Sequence, residues 1–316
     1  MNILITGVHG FVGSNLINKL KDDHQFYGLD IITPIKEGII QTFTWNDFES
    51  RDLPDFDIII HLAGKAHDTK NQSKAEEYFT INTDLTKKIF DFFLESSASK
   101  FIFFSSVKAA ADFVPGDILT EDIIPDPKGP YGESKIAAEE YINSQLSTLN
   151  SQPNKKVYIF RPCMIHGPGN KGNLNLLYSI VNKKIPWPLG SFENRRTFVS
   201  IDNLCYIISE FINKDIDSGI YHIADDETLS TNELIQYMCE AMGREANIWH
   251  INKSLMTSMA RIGDKLRLPL NTERLQKLTE NYVVSNEKVK QAIGITKMPV
   301  TAREGIIKTI KSFTNN

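Results

Sequence analysis

Cysteine is scarce in this chain, and its three residues, Cys163, Cys205 and Cys239, follow no paired spacing. That pattern argues against a disulfide framework and a thiolate metal site, and leaves buried free thiols as the expectation. No apolar stretch approaches the roughly 20 residues a bilayer-spanning helix needs. The N-terminal apolar run is broken by Thr6, Gly7 and His9, so it does not read as a signal peptide, and a cytoplasmic location is expected by elimination. Long basic stripes are missing too, and the formal net charge is −4, so neither nucleic acid nor membrane is an expected partner. His61 ends an apolar strand candidate and His166 sits in a glycine–proline loop. Neither pairs with another ligand type at metal spacing, so both read as structural and no metal is expected.

What the chain does have is a phosphate-binding context at its start. Residues 1–6 read as a short buried strand, Gly7, Gly10 and Gly13 follow, and residues 14–20 carry apolar side chains at helical spacing. Strand, glycine turn and helix are the setting in which backbone amides cradle a pyrophosphate. Gly7 suits the tight turn, Gly10 close approach of the backbone, and Gly13 close packing of helix on strand. Phe11 and Val12 complete the loop. The spacing is G-x-x-G-x-x-G rather than G-x-G-x-x-G. Asp30 ends the next strand candidate, where a carboxylate can accept hydrogen bonds from an adenosine ribose and would repel a ribose phosphate. Ile31, Ile32 and Thr33 supply no arginine to hold one, so NAD is favoured over NADP.

Strand candidates recur near 2–6, 25–30, 39–45, 57–63, 100–105 and 156–161, with helical patterns between several of them, notably 75–97 and 131–149. The runs at 57–63 and 100–105 are nearly continuous in apolar residues, as in strands covered on both faces. The expected fold is therefore α/β, a doubly wound parallel (Rossmann) sheet, with ligands at the carboxyl ends of its strands. Gly7, Asp30, Ala63, Ser105 and Ser106 all fall at such ends. After about residue 165 the texture changes to loops at 167–172 and 186–190, helical segments near 174–184, 203–213, 231–242 and 301–313, and one more strand at 218–224. We read residues 1–165 as a dinucleotide-binding domain and 166–316 as mainly a smaller substrate-binding lobe, interleaved with the first.

The densest chemistry is Tyr131-Gly-Glu-Ser-Lys135, downstream of Ser106. Residues four apart share a helix face, so the phenol and the ammonium are neighbours. A fixed cation beside a phenol favours phenolate and is expected to lower the tyrosine pKa from about 10 toward working pH. Such a tyrosine can exchange a proton with a sugar hydroxyl or carbonyl, and a serine hydroxyl can hold the same oxygen. Alone, the pair would also suit an exposed helix turn; its place behind the glycine loop and the serine makes it a catalytic candidate.

Taken together these residues resemble the extended short-chain dehydrogenase/reductases of the nucleotide-sugar epimerase/dehydratase group. The carriers run nearly end to end: Gly7, Gly10 and Gly13; Asp30; Asn46-Asp-Phe48; His61-Leu-Ala-Gly64; Asn82; Ser105-Ser106; Tyr131 and Lys135; Arg161-Pro162 with Gly167-Pro168; and Arg196 through Asp202. Within the group, Ser105-Ser-Val-Lys108, together with Ala66-His67 after the fourth strand candidate, looks most like the sugar 4-epimerases and 4-ketoreductases of bacterial surface-polysaccharide synthesis. The resemblance implies Tyr131 as acid/base, Lys135 on the nicotinamide ribose and lowering the tyrosine pKa, and Ser106 on the reacting oxygen. It implies Asp47 and Phe48 at the adenine, Leu62, Ala63, Gly64 and Ser105 along the cofactor, Pro162 beside the nicotinamide, and Asn82 bridging backbone and cofactor. Asn173, Leu174 and Arg196 would take the substrate's diphosphate and nucleotide, where a guanidinium's forked donors suit an anion. Lys108 reads either as a substrate contact or as a solvated loop lysine. A homodimer through the helices at 75–97 and 131–149 is also implied.

The expected activity is oxidation and re-reduction of the 4-position of a UDP-sugar by an NAD-dependent epimerase. The alternative is a nucleotide-sugar 4-ketoreductase. The 4,6-dehydratases of this group carry Thr-Asp-Glu where this chain has Ser106-Val107-Lys108, so dehydration is disfavoured. Many 4-epimerases have Val-Tyr-Gly a few residues after the serine; Ala109-Ala110-Ala111 stands there, which keeps the ketoreductase open. A non-catalytic NAD-binding protein is a further alternative, opposed by the presence of both Tyr131 and Lys135. So is an oxidoreductase of steroids or flavonoids, opposed by Arg196 and the Asn173–Leu174 pair.

Overall fold

The computed structural model describes residues 1–66, 74–146, 154–170, 172–266 and 270–314, without the side chains of Asn173 and Thr314. Among these residues the strands are β1 (Asn2–Thr6), β2 (Gln25–Leu29), β3 (Ile39–Phe43), β4 (Ile58–His61), β5 (Lys100–Phe104), β6 (Lys156–Pro162), β7 (Met164–His166), β8 (Arg196–Ser200), β9 (Gly219–Ile223) and β10 (Thr228–Leu229). The helices are α1 (Phe11–Leu20), α2 (Trp45–Glu49), α3 (Ala75–Tyr78), α4 (Leu85–Glu95), α5 (Val107–Ala110), α6 (Pro130–Gln145), α7 (Asn173–Asn182), α8 (Ile201–Asn213), α9 (Thr231–Ala241), α10 (Lys253–Leu266), α11 (Thr272–Thr279), α12 (Glu287–Ile293) and α13 (Ala302–Thr314).

Seven strands form one parallel sheet in the order β3-β2-β1-β4-β5-β6-β9. Its interior strands are apolar on both faces, which explains their unbroken hydrophobic runs. Side chains alternate: Ile3, Ile5, Ile58, Ile60, Ile102, Phe104, Tyr158 and Phe160 enter one core with α1, α8 and α12. Leu4, Ile59, Phe101, Phe103, Val157 and Ile159 enter the opposite core with α4 and α6. The doubly wound sheet expected from the sequence is thus present. All six strand candidates of the first 165 residues are there, and the predicted strand at 218–224 is β9, which returns to the sheet beside β6.

Strand order reverses between β1 and β4, and the crevice at such a switch point is where open α/β sheets bind ligands. A second, three-stranded sheet, β10-β8-β7, belongs to the C-terminal part. It packs with α7, α9, α10 and α13 over a third core built on Phe198, Leu234, Met238, Met256 and Ile306. β7, β8, β10, α2, α5, α10, α11 and α12 were not anticipated as elements. The helical pattern at 75–97 resolves into α3, a π-helical turn at Phe79–Asp84 and α4. All three cysteines are buried with free thiols. No described helix is long and apolar enough to cross a membrane.

Candidate active site

The glycine loop is shaped by contacts that leave no room for side chains. Gly7 adopts φ +69, and a β-carbon on it would lie 3.0 Å from the Ala63 backbone. On Gly13 a β-carbon would meet the Val8 carbonyl oxygen at 2.5 Å, so α1 sits directly against the loop that follows β1. Gly10, the N-cap of α1, supplies no side-chain acceptor, which leaves first-turn amides available to an outside anion. Asp30 follows β2 and accepts hydrogen bonds from the His9 amide (3.0 Å) and from the Ile31 amide (2.7 Å), so it braces the glycine loop.

A cleft of about 450 Å³ opens over this loop, walled by Gly7, Gly10, Phe11, Val12, Gly13, Leu62, Gly64, Ser105, Ser106, Lys108, Tyr131, Lys135, Pro162 and Arg196. An adjoining cleft of about 750 Å³ shares Lys108, Tyr131 and Arg196 and adds Leu174, Leu176, Trp187 and Leu278. Most of the candidate residues therefore converge on one continuous space. Among the described residues the walls do not include Asp30, Asp47, Phe48, Ala63 or Asn82. Asp47 accepts from the Thr44 amide and hydroxyl, capping α2. Phe48 buries its ring against Trp45 and Phe92. Asn82, on the π-helical turn, accepts from the Lys65 amide and donates to the Lys65 carbonyl and the Ser134 hydroxyl, locking the loop after β4 to α6. His67 and the side chain of Asn173 lie outside the described residues.

Tyr131 and Lys135 enter the cleft from the start of α6, where Pro130 supplies a preset backbone at the first turn. Hydrogen bonding toward the Ser106 hydroxyl counts among the influences on the Tyr131 phenol. Ser106 also caps α5, accepting from the Lys108 amide at 3.2 Å. Burial pushes the Tyr131 phenol above its ordinary value, the Ser106 bond opposes this, and nearby Tyr78 adds to the rise. This corrects the expectation that Lys135 lowers the phenol. The Lys135 ammonium donates to the Phe104 carbonyl at 2.7 Å and lies 4.9 Å from the Phe103 ring centroid. Burial pulls Lys135 itself down to about 8, against the field of Glu139. Desolvation is the largest influence on each of the two groups.

Across the cleft, Arg196 at the start of β8 donates to the Lys277 carbonyl (3.1 Å) and to Glu280 (3.4 Å). Lys108 is held by the Asp112 carboxylate at 3.0 Å and lies 4.5 Å from the Tyr282 ring centroid. Tyr282, which lines the cleft and bonds the carbonyls of Val107 and Ala111, was missed in the sequence. Its signal is the short β-branched run Val283-Val284 directly after it, and Tyr282 itself bridges Arg196 of β8. Glu139 was missed as well, although its signal was plain: it stands one helical turn beyond Lys135. His61 bonds Thr6 and Thr86 through its two ring nitrogens and burial pulls it to about 3, while His166 bonds Thr309; both are structural. No group of ligands that could hold a metal occurs among the described residues.

Residues 3–224 match the NAD dependent epimerase/dehydratase family. The chain belongs to this family. Among curated relatives, UDP-glucose 4-epimerase of Vibrio cholerae is 30% identical, with 99% of this chain and 95% of that protein aligned. An N-acetyl-alpha-D-glucosaminyl-diphospho-ditrans,octacis-undecaprenol 4-epimerase of Escherichia coli O157:H7 is 26% identical over 95% of this chain and 88% of the relative. Among solved structures, UDP-glucuronic acid 4-epimerase from Bacillus cereus, in complex with NAD, superposes with a TM-score of 0.76 at 19% identity, covering 100% of this chain and 99% of the other. That likeness establishes the extended short-chain dehydrogenase/reductase fold. The epimerase/dehydratase family is one of NAD-dependent enzymes, and this chain gathers the candidate residues Ser106, Tyr131 and Lys135 in one cleft.

Proposed function

We propose that the chain is an NAD-using 4-epimerase of a UDP-linked sugar. The observation that carries this reading is the meeting of Ser106, Tyr131 and Lys135 in one cleft with the glycine loop, facing Arg196. The cleft suits a dinucleotide: Gly13 admits no β-carbon, and the first turn of α1 has no side-chain cap. Gly7, Gly10, Phe11, Val12 and Gly13 would hold the pyrophosphate, Asp30 the adenosine ribose, Lys135 and Asn82 the nicotinamide half, and Pro162 its ring. Asp30, with Ile31 exposed beside it and no arginine next to it, favours NAD over NADP. When bound, NAD supplies the acceptor and donor of hydride.

The protein's own part is proton transfer and placement. Tyr131 takes the proton from the sugar 4-hydroxyl as that carbon is oxidised and returns it on re-reduction. Ser106 holds the same oxygen through its hydroxyl. Lys135 supplies a positive charge near the developing anion. Arg196 and Leu174 hold the diphosphate and nucleotide, so that the freed 4-keto sugar keeps its tether while it presents its other face. Ala109, Ala110 and Ala111, buried beside Ser106 in place of Val-Tyr-Gly, favour a second reading as a nucleotide-sugar 4-ketoreductase. Incubating the purified protein with UDP-glucose and with UDP-N-acetylglucosamine, without added cofactor, separates the two. Appearance of the 4-epimer supports the first; inertness until a reduced nicotinamide and a 4-keto sugar are supplied supports the second.

A further inference from the structure

Under the cleft floor lies a buried charged cluster to which no step above assigns a role. Glu139 on α6 is fully buried. Its Oε1 accepts from the Ser105 hydroxyl in a very short contact and from Arg161 Nε at 3.0 Å, while its Oε2 accepts from Arg161 Nη2 at 2.6 Å. The three partners have telling neighbours. Ser105 precedes Ser106, Arg161 precedes Pro162, and Glu139 follows Lys135 by one helical turn. The carboxylate therefore ties together the ends of β5 and β6 and the helix that carries the phenol and ammonium. Ser105, read from the resemblance as a cofactor contact, spends its hydroxyl on this tie.

We propose that Glu139 is a positioning residue for the reaction, acting through Lys135 and Ser105: its carboxylate is the counter-charge of the buried ammonium and fixes Ser106 and Pro162 against α6. The proposal rests on the reading of Tyr131 and Lys135 given above. The surroundings of Lys135 support it. Tyr131 and Glu139 share its helix. β5 offers the Phe104 carbonyl and the Phe103 ring, both uncharged. β4 presents His61, held neutral with both nitrogens engaged. On the far side, a β-carbon added to Gly64 would sit 3.1 Å from Lys135 Nζ and 3.0 Å from Asn82 Oδ1, so a neutral amide lies there. Arg161 on β6 spends its charge on Glu139. The anion acting on Lys135 is Glu139, and it opposes the loss of the proton that burial promotes.

The sign follows directly. Without the carboxylate, the ammonium gives up its proton at lower pH, so activity that needs the cation fails earlier as pH rises. Glu139→Gln alone leaves Arg161 buried without a counter-charge and is prone to unfold, so the informative variant is the double Glu139→Gln, Arg161→Met, compared with wild type by circular dichroism and NAD thermal shift. The expected result is a folded, NAD-binding protein whose alkaline limb of kcat/KM moves down by about one pH unit, with kcat falling about fivefold at pH 8 and KM for the UDP-sugar nearly unchanged. A second readout needs no turnover: competitive acetylation of Lys135, followed by mass spectrometry across pH, titrates the amine itself. Its midpoint is expected near 8 in wild type and lower in the variant. A folded double variant whose Lys135 titrates as in wild type overturns the proposal. Wild-type inactivity on every UDP-sugar, with the acetylation shift intact, would instead overturn the epimerase reading alone.

Discussion

Replacing Tyr131 by phenylalanine removes one oxygen and little else, which makes it the sharpest test of the acid/base assignment. The ring is half-buried and stacks edge-on to Tyr78, with centroids 6.4 Å apart, and phenylalanine keeps that packing. The lost hydroxyl takes with it at most one neutral hydrogen bond, toward Ser106. One neutral hydrogen bond is worth about 1 kcal/mol net, and Ser106 keeps its bond from the Lys108 amide, so the melting temperature should drop by only a few degrees. Catalysis is affected on another scale. A positioned general acid/base contributes roughly a hundredfold or more, equivalent to about 2.7 kcal/mol of barrier. The phenylalanine variant should therefore turn over at least a hundredfold more slowly while its NAD-induced thermal shift is retained. Turnover is read by coupling product formation to a sugar-specific dehydrogenase or by chromatography of the UDP-sugars. Wild-type turnover in a folded variant would refute the assignment of the proton to Tyr131, and with it the mechanism.

Three further outcomes are expected. Gly13→Val must place its branched side chain where a β-carbon already lies 2.5 Å from the Val8 carbonyl oxygen; backbone has to move, and the NAD-induced thermal shift should vanish, whereas an unchanged shift would show that α1 does not abut the pyrophosphate. Arg196→Gln should raise KM for the UDP-sugar about tenfold or more, consistent with loss of a charge-assisted contact, and leave NAD binding intact; an unaltered KM would place the diphosphate elsewhere. Asp30→Asn should bring the dissociation constants for NAD and NADP closer together by removing the repelling charge, measured by fluorescence titration, and a preference that does not move would remove Asp30 from the ribose.

Much of the first 165 residues was legible because parallel strands covered on both faces leave long apolar runs, and the glycine loop has a sharp steric reason for each small residue. Ser106, Tyr131 and Lys135 were legible for the same reason: a strand end and a helix turn place them without reference to distant chain. The electrostatics were not. The pairing of Tyr131 with Lys135 suggested a lowered phenol, but sequence spacing carries no information about burial, and burial decides the direction here. β8 was also missed as a strand, since Arg196-Thr-Phe-Val-Ser200 is a short segment whose partners β7 and β10 are three and two residues long. Its residues pair only after the chain has crossed back, as do those of Tyr282 with Arg196. α10 and α11 carry apolar residues at helical spacing yet bury only Met256, Ala260 and Gly263 on the one and Leu275 on the other, so a readable periodicity was overlooked there, while α12 is only 7 residues long.

One helix then organises the chemistry. Tyr131, Lys135 and Glu139 recur every fourth residue along α6, so phenol, ammonium and carboxylate form a ladder descending from the cleft into the core. Each rung is more deeply buried than the last: the tyrosine is half-buried, the lysine is 4% exposed and the glutamate is fully enclosed. Ser134, on the same helix, is pinned by Asn82, and its carbonyl is pinned by Thr83, so the ladder cannot rotate without breaking bonds to the π-helical turn. Burial raises the phenol and lowers the ammonium, which drives their proton affinities apart, and the distance between them is fixed by helix geometry rather than by loop closure. In the proposed mechanism, Glu139 in its ion pair with Arg161, one turn below Lys135, sets how far the pH can rise before the ammonium loses its proton.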